Sequence, residues 1–372
     1  MHHRILIVRL SHLGDVVHAL PVYHALRHAY PEAELAWAVQ SEFAGVLSSL
    51  PGLARTFLFG RRQGLSAWSR LRRDFAEWQP DWAVDAQGNT KSAMVTLTSG
   101  AARRSGLARA DWRERFASHT STDRAPAARG PHAVERMISL ARHVAPDIDA
   151  DSIRFDLPLT DTARERGRAL LAEHAAGAPP DWIVHLSALP DVRAWPAGHF
   201  AELVRELQAA GRSVLVLSGP EEAEIGRNLA AELDLPGVSH WVEQRGLEDL
   251  AVAFAAAASR GSRLLACDSG PAHLAAAVGL EVSLLAGPQD PERTGPWPYR
   301  LGTKHLQHAA LLNPAPPECA PCLARRCSHA HGPVCMTGLG PAHVASILLN
   351  VAPPPHQLSS PPPSDAARAT PH

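Results

Sequence analysis

Short apolar segments alternate with helix-like segments from the start of the chain. Residues 4–8 form an apolar run that is typical of a strand buried on both faces of a parallel sheet. A polar turn at 11–15 follows, and residues 16–29 carry apolar side chains at helical spacing. Residues 35–39 predict the next strand. This order of strand, turn, helix and strand predicts a β-α-β unit.

The same alternation continues along the chain. Further strands are predicted at 82–85, 182–186, 213–217, 263–267 and 282–285, the last of these as the final strand. Helices are predicted at 89–98, 132–144, 160–176, 197–210, 221–233, 247–258 and 271–278.

A Pro/Gly break at 177–180 divides the alternating pattern into two units of similar size. We therefore expect two Rossmann-like, doubly wound α/β domains, at 1–176 and 181–350, that face an interdomain cleft. Residues 353–372 are rich in Pro, Ser and Ala, which predicts a disordered tail.

Composition excludes several classes of protein. The 372 residues are 45% hydrophobic and 20% charged with a net charge of −1, which argues against a protein built to bind nucleic acid. No apolar run reaches the roughly 18 residues that cross a bilayer, and the strand-like start predicts no secretory signal. We expect a cytoplasmic monomer.

The first candidate site is the turn after the first strand. Gly14 lets a ligand approach the backbone closely. Asp15 stands at the start of the following helix, at the carboxyl edge where open parallel sheets bind ligands. Asp15 is therefore a candidate catalytic carboxylate, and the alternative is a structural role as the helix N-cap.

The second candidate site joins a strand to an Ala-rich helix at 267–273. The exposed N–H groups and the dipole at the start of such a helix form an anion site that suits a diphosphate. A loop at 287–294 follows the next strand at the same edge, and two such polar loops indicate a ligand site, with structural turns as the alternative. The candidate binding residues are Asp268, Ser269, Gly270, Pro271, Ala272, His273 and Asp290.

Two more charged residues are candidates for this site. Arg193 can bind a phosphate with its planar guanidinium, although an isolated arginine can also be a solvated surface residue. Glu248 can accept hydrogen bonds from a ribose, or only complement the dipole of the helix that it begins.

Five ordered motifs resemble those of the lipopolysaccharide heptosyltransferases of glycosyltransferase family 9. They are RILIVRLSHLGD at 4–15, VDAQGNTKS at 84–92, AWP at 194–196, DSGPAH at 268–273 and GPQDP at 287–291. The resemblance covers residues 1 to about 350. It implies the GT-B fold, with the acceptor in the N-terminal domain and the nucleotide sugar in the C-terminal domain.

The resemblance implies an inverting transfer of L-glycero-D-manno-heptose from ADP-heptose to the inner core of lipopolysaccharide, on Kdo or on the first heptose. Asp15 falls where the family has its general base, and Glu248 where a carboxylate binds the ribose. Arg193 stands where the family often has lysine and is expected to stabilise the leaving diphosphate. Ser187 is a further expected donor contact, and the expected acceptor contacts are Ser11, His12, Gly14, Gln87 and Lys91. No Asp-x-Asp pair ends a strand, so we expect no cofactor or metal in catalysis.

Two arginine clusters of the N-terminal half are candidates for selecting a phosphorylated, carboxylate-rich glycolipid. The first can also hold the protein peripherally against anionic lipids of the inner leaflet of the inner membrane. The alternative for both is a solvated helix face. The clusters are Arg61, Arg62, Arg70, Arg72 and Arg73, and Arg103, Arg104, Arg109, Arg113 and Arg115.

Four of the five cysteines lie close together, at Cys319, Cys322, Cys327 and Cys335. This spacing allows a structural Zn²⁺ site, and reduced packing cysteines or a disulfide are the alternatives. A similar stretch in some enzymes that add the second heptose favours that branch of the family.

Proteins of other classes remain as alternatives. An NAD-dependent enzyme would need a Gly-x-Gly-x-x-Gly fingerprint after the first strand, which residues 9–15 lack. A family 9 enzyme with another nucleotide sugar, a non-hydrolysing sugar-nucleotide epimerase and a catalytically silent nucleotide-binding protein share the expected architecture.

Overall fold

Two parallel six-stranded sheets form the frame of the protein in the residues that the structure describes. The structure is a computed structural model, and it describes residues 4–60, 64–149, 152–175, 179–187, 191–297 and 308–350. The first sheet contains β1 (Arg4–Val8), β2 (Glu34–Gln40), β3 (Leu53–Phe59), β4 (Trp82–Asp85), β5 (Arg103–Gly106) and β6 (Asp123–Arg124). The second contains β7 (Trp182–His185), β8 (Val214–Leu217), β9 (Val238–Trp241), β10 (Arg263–Cys267), β11 (Glu281–Ala286) and β12 (His308–Leu312).

Both sheets have the same strand order. The first runs β3-β2-β1-β4-β5-β6, and the second, read from its other edge, runs β9-β8-β7-β10-β11-β12. The order reverses between β1 and β4 and between β7 and β10, and at such a point the loops diverge and leave a crevice at the carboxyl edge. The expected α/β class with two Rossmann-like sheets is confirmed.

Helices cover the faces of both sheets. They are α1 (Leu13–His18), α2 (Leu20–Ala29), α3 (Gly64–Trp78), α4 (Thr90–Thr98), α5 (Ala133–Val144), α6 (Asp161–His174), α7 (Ala197–Ala209), α8 (Ala223–Glu232), α9 (Leu247–Ser259), α10 (Gly270–Ala277), α11 (Pro291–Thr294), α12 (Val334–Thr337) and α13 (Pro341–Leu349). Short 3-10 helices occupy Ser41–Leu47, Arg109–Asp111 and Arg115–Thr120.

Two predictions of secondary structure are wrong. Residues 16–29 form parts of two helices, because Pro21, in the first turn of α2, has no N–H to continue the ladder of α1. The strand at 282–285 is not the final one, since β12 adds a parallel strand beside β11. The sequence of β12, HAALL, is too short to show the alternation of apolar and polar residues that identifies a strand.

The segment between the two sheets packs on the second half of the molecule. Helix α6 lies against α9, and Arg166 of α6 pairs with Glu248 at the start of α9. The domain bounds at 1–176 and 181–350 stay a prediction. Residues 177 and 178 of the break and the tail at 353–372 lie outside the described residues.

One apolar core crosses from the first half of the chain to the second. Val17 of α1, Leu140 of α5 and Ala276 of α10 belong to a single buried cluster. Burial of this surface holds the two sheets together. Each Å² of apolar area removed from water contributes about 25 cal/mol to the free energy of folding. The halves are therefore joined by packing as well as by the chain.

The crossing of α6 and α9 depends on a glycine. A Cβ added at Gly167 would lie 2.1 Å from the carbonyl oxygen of Val252. We expect Gly167→Ala to lower the free energy of unfolding by about 1–3 kcal/mol, because the helices must separate. Chemical denaturation measures this change.

The matched control is Gly198→Ala in α7, where an added Cβ has no described atom within 4 Å. That change should leave stability equal or raise it by up to about 1 kcal/mol. Equal effects of the two substitutions would contradict the close-crossing argument.

Candidate functional site

The candidate residues lie on loops that follow the central strands of the two sheets. The turn with Asp15 follows β1, and the segment with Gln87 follows β4. Ser187 follows β7, and Asp268 follows β10. Parallel strands end at one edge of their sheet, so these four loops border the two crevices where the strand order reverses.

Asp15 is held by two basic side chains. One carboxylate oxygen is 2.7 Å from Arg9 Nη2, and the other is 3.4 Å from His12 Nδ1. Asp15 lies inside the first turn of α1, and His12 occupies the N-cap position, so the capping alternative for Asp15 is wrong. The Asp15 side chain is 40% exposed, which leaves its carboxylate accessible to a ligand.

Arg9 sets the charge state of Asp15. Burial raises the pKa of the Asp15 carboxyl, but the Arg9 guanidinium and the hydrogen bond from the His12 side chain hold that pKa well below its usual range. Arg9 is itself buried and donates to the Ala86 carbonyl. The carboxylate therefore stays ionised throughout the neutral pH range.

The second candidate site, at 267–273, places several polar groups at the start of α10. Asp268 is 8% exposed and its carboxylate lies 3.4 Å from His273 Nε2. Ser269 is the N-cap residue, and its buried hydroxyl has no hydrogen-bond partner in the described part of the chain. Pro271 lies in the first turn, as expected from its missing N–H. A free hydroxyl beside a helix start suits a phosphate oxygen.

Arg193 reaches the same loop. Its Nη1 atom is 4.0 Å from the Asp268 carboxylate, and its guanidinium binds Asp191 at 2.5 and 2.9 Å. These carboxylates raise the pKa of Arg193, so it is a permanent cation. Ser187, also predicted here, bonds Cys267 Sγ at 3.2 Å and accepts from the Trp195 N–H. Its hydroxyl thus connects the end of β10 to the segment that contains Arg193 and Trp195.

Glu248 and Asp290 have local partners. The Glu248 carboxylate is 3.1 Å from Arg166 Nη1, so binding a ribose would require it to share or leave that partner. Asp290 caps α11 by accepting from the Glu292 N–H at 3.0 Å. Their predicted donor contacts stay predictions.

The predicted acceptor residues connect two strand ends. Gln87 accepts from the Leu10 N–H at 2.6 Å and donates to Ser11 Oγ at 3.3 Å. Lys91 lies in the first turn of α4, the helix that follows Gln87. The loops after β1 and β4 are therefore tied together beside Asp15.

The two candidate sites are in direct contact. A Cβ at Gly14 would lie 2.5 Å from His273 Cδ2, and one at Gly270 would lie 2.7 Å from Leu13 Cβ. Helix α1 of the first half packs on α10 of the second. Only glycine fits at these two points, so the contact needs both residues.

A buried histidine cluster at this contact was missed from the sequence. His18 Nε2 is 3.3 Å from His273 Nδ1, and the His18 and His132 ring centroids are 5.8 Å apart. Burial lowers the pKa of His18 well below its usual value and that of His132 to about 4. His18 follows Asp15 by three residues on α1, and this helical spacing was the available signal.

Most of the arginine clusters lie on the surface. Arg103 stacks over the Trp82 ring at 3.7 Å, and Arg104 donates to backbone carbonyls, so both have structural roles. Arg70, Arg72, Arg73, Arg109, Arg113 and Arg115 are exposed. Arg61 and Arg62 lie outside the described residues.

The cysteine cluster surrounds one cavity. Cys319, Cys322, Cys327 and Cys335 all line it and are all free thiols. Within the described residues no group of three or more His, Cys, Asp or Glu side chains is arranged to hold a metal ion. The structural zinc therefore stays a prediction, and no disulfide joins any of these four cysteines in the structure.

Similarity to known proteins agrees with the geometry. Residues 68–329 match glycosyltransferase family 9 (heptosyltransferase). The chain is 32% identical to lipopolysaccharide heptosyltransferase 1 of Pseudomonas aeruginosa, over 93% of this chain and 97% of that protein. It is 24% identical to lipopolysaccharide heptosyltransferase 2 of Escherichia coli, over 80% and 86%.

A solved structure has the same fold. The E. coli heptosyltransferase WaaC with ADP matches with a TM-score of 0.70 at 24% identity, over 94% of this chain and all of that chain. At this identity the likeness establishes the fold alone. Among the described helices, none is both long and apolar enough to span a membrane.

Because its histidines are buried as neutral rings, we expect the histidine cluster to lower the free energy of unfolding in acid. The His132 Nδ1 atom accepts from the Val134 N–H and its Nε2 lies 3.0 Å from the Gly295 carbonyl, so the folded ring is neutral. Its folded pKa of about 4 is lower than its unfolded value, so the unfolded chain binds more protons between these values. Stability is full above pH 6.5 and falls as the pH drops, by about 2 kcal/mol at pH 5 for this group alone.

We expect His132→Asn, which keeps a good N-cap, to reduce this pH dependence, measured by denaturant unfolding at several pH values. His28→Asn, at an exposed position of α2, is the control and should leave the dependence unchanged. An unaltered pH dependence in the His132 variant would contradict the neutral-ring assignment.

Proposed function

The chain belongs to glycosyltransferase family 9, and from this membership we propose that it transfers L-glycero-D-manno-heptose from ADP-heptose to the inner core of lipopolysaccharide. The direct contact between the turn of Asp15 and the loop of Asp268–His273 carries this proposal. A proton acceptor and an anion site close to each other are the two groups that a glycosyl transfer from a diphosphate needs. We place the reaction in the cytoplasm, with the protein peripheral at the inner face of the inner membrane.

The first of the two heptose additions is the better candidate. Identity to the relative named heptosyltransferase 1 is 32%, and identity to the one named heptosyltransferase 2 is 24%. We therefore propose Kdo as the acceptor sugar. This choice goes against the branch that the cysteine spacing favoured.

Asp15 acts in this proposal as the general base. The acceptor hydroxyl attacks the anomeric carbon and its proton passes to the carboxylate, while the bond from that carbon to the diphosphate breaks and ADP leaves. The low pKa of Asp15 makes it a weak base, so the proton moves late, after bond-making has acidified the hydroxyl. With the base and the leaving group on opposite sides of the sugar, the proposed transfer inverts the anomeric configuration.

Arg193 and the start of α10 act on the leaving diphosphate. Arg193 lies 4.0 Å from Asp268, and the Ser269 hydroxyl in the same loop lacks a described partner. Both groups can donate to phosphate oxygens as negative charge develops there. Glu248, Ser187 and Asp290 are proposed to support the nucleotide side, and Ser11, Gln87 and Lys91 the acceptor side.

Incubation with ADP-heptose and lipopolysaccharide precursors tests the function. Mass spectrometry should find one added heptose on a precursor that ends in Kdo, and none on one that already carries the first heptose. Addition to the second precursor alone would reassign the position, and addition to neither would refute the substrate assignment. Replacement by UDP- or GDP-linked sugars tests the alternative donors.

Substitution of the base tests the mechanism. We expect Asp15→Asn to lower kcat by about 10²–10⁴-fold, because the amide cannot accept the proton, while ADP binding measured by calorimetry stays unchanged. Glu232→Gln, at a surface ion pair with Arg205, is the matched control and should keep full activity. Full activity of the Asp15 variant would exclude its role as base.

Arg193 allows a graded test. We expect Arg193→Ala to lower kcat by about 10²–10³-fold, and Arg193→Lys to recover part of that loss because it keeps the charge without the planar fork. Arg205→Ala, at an exposed position, serves as the control in the same assay. Equal activity of the alanine and lysine variants would argue against an electrostatic role.

A further inference from the structure

Two buried histidines meet where the two halves of the chain touch. His18 of α1 is 4% exposed and His273 of α10 is 6% exposed. The His18 Nε2 atom is 3.3 Å from His273 Nδ1, and the His273 Nε2 atom is 3.4 Å from Asp268 Oδ1. The three side chains therefore form a hydrogen-bonded chain that begins in the first half and ends at the second candidate site.

The order of the protons along this chain follows from its acceptor end. An ionised carboxylate only accepts, so the Nε2 atom of His273 carries the proton that Asp268 receives. Burial and the neighbouring His273 ring lower the pKa of His18, which is therefore neutral. In a neutral His273 the Nδ1 atom is an acceptor, and His18 Nε2 donates to it. The other nitrogen of His18, Nδ1, has no hydrogen-bond partner in the described part of the chain.

Asp268 lies between this chain and a cation. One of its carboxylate oxygens faces His273, and the other is 4.0 Å from Arg193 Nη1, which is too far for a hydrogen bond. Arg193 instead binds Asp191, at 2.5 and 2.9 Å. An arginine and a carboxylate that can turn toward each other often form two parallel hydrogen bonds. The hydrogen bond from His273 opposes that turn of Asp268.

We propose that His18 is a positioning residue that acts through His273. Held by His273, Asp268 does not form a close ion pair with Arg193. The guanidinium then remains available to the phosphate groups of a nucleoside diphosphate, which it binds on leaving Asp191. The identity of this ligand as ADP rests on the proposed function, whereas the hydrogen-bonded chain does not.

Two other roles for His18 need to be separated from this one. A buried histidine pair at the contact between α1 and α10 could contribute to stability alone. His18 also lies one helical turn after Asp15 and could act through that carboxylate. Neither of these roles involves the charge of Asp268, so an experiment that removes this charge distinguishes them from the proposal.

Calorimetric titration with ADP tests the proposal. We expect His18→Leu to weaken ADP binding about tenfold or more, because Asp268 then pairs with Arg193 and competes with the diphosphate. His18→Gln should recover most of the affinity, since its amide N–H can replace the Nε2 donor. Unchanged ADP affinity in the leucine variant would overturn the proposal.

A second substitution tests the role of Asp268 directly. Asp268→Asn removes the competing charge, so its combination with His18→Leu should restore ADP affinity to that of Asp268→Asn alone. Because ADP lacks the sugar, a contact between Asp268 and a transferred sugar does not enter this measurement. A double variant that binds ADP as weakly as His18→Leu would refute the proposed route through Asp268.

The matched control is another histidine with a nearly buried side chain. The His24 side chain in α2 is 10% exposed, and its Nε2 atom is 2.7 Å from the Asp156 carbonyl oxygen. His24→Leu should leave ADP affinity unchanged, and an equal loss in both leucine variants would overturn the proposal. Thermal unfolding verifies that all variants fold. In the double variant we expect ADP affinity to recover without recovery of the unfolding temperature.

The ring protons separate this proposal from the transferase assignment. NMR of nitrogen-labelled histidine should find a proton on Nε2 of both His18 and His273, with their signals assigned by their loss in His18→Gln and His273→Gln. A His18 ring with its proton on Nδ1 would overturn the proposal. Failure of the unchanged protein to bind ADP would refute the proposed nucleotide, and the ring protons would still decide whether His18 donates to His273.

Discussion

The contact between α1 and α10 is the constraint on which the candidate site depends. Leu13 and Gly14 of one half press against Gly270 and His273 of the other, with no room for a further carbon at either glycine. In the proposed mechanism each half supplies only part of the chemistry, a carboxylate from the first sheet and an anion site from the second. Their separation is therefore set by two glycines, Gly14 and Gly270, that pack directly on the His273 and Leu13 side chains of the other half.

Much of this arrangement follows from the sequence. Apolar runs followed by short polar turns identified β1, β4, β7 and β10, and the carboxyl-edge rule then located the candidate loops. The sequence could not reveal which side chains of the two halves meet at the contact between α1 and α10. The His18–His273 pair joins residues 255 positions apart, and the role of Arg9 depends on a fold that buries it beside Asp15.

Other misses have local causes. Pro21 divides residues 16–29 between two helices, although the apolar residues keep a helical spacing throughout this stretch. Helix α6 lies on α9, and its own sequence is the polar one typical of an exposed helix, so nothing in it identifies a partner. The position of Asp15 in the first turn beyond the cap depends on where α1 begins, and helix boundaries are what periodicity defines least well.

The charges at the candidate site fit the proposed binding of a diphosphate beside two carboxylates. Asp15 is neutralised by Arg9, and Asp268 lies near Arg193, whose guanidinium binds Asp191 more closely. His18, between the two halves, is kept neutral by burial, so it adds no cation that would bind either acid. A diphosphate offers more negative charge than a single carboxylate, so in the proposed complex it can draw Arg193 toward residues 267–273 without removing Arg9 from Asp15. In the proposed mechanism, Asp15 and Arg193 are thus held by different partners, so that donor binding at Arg193 leaves Asp15 paired with Arg9.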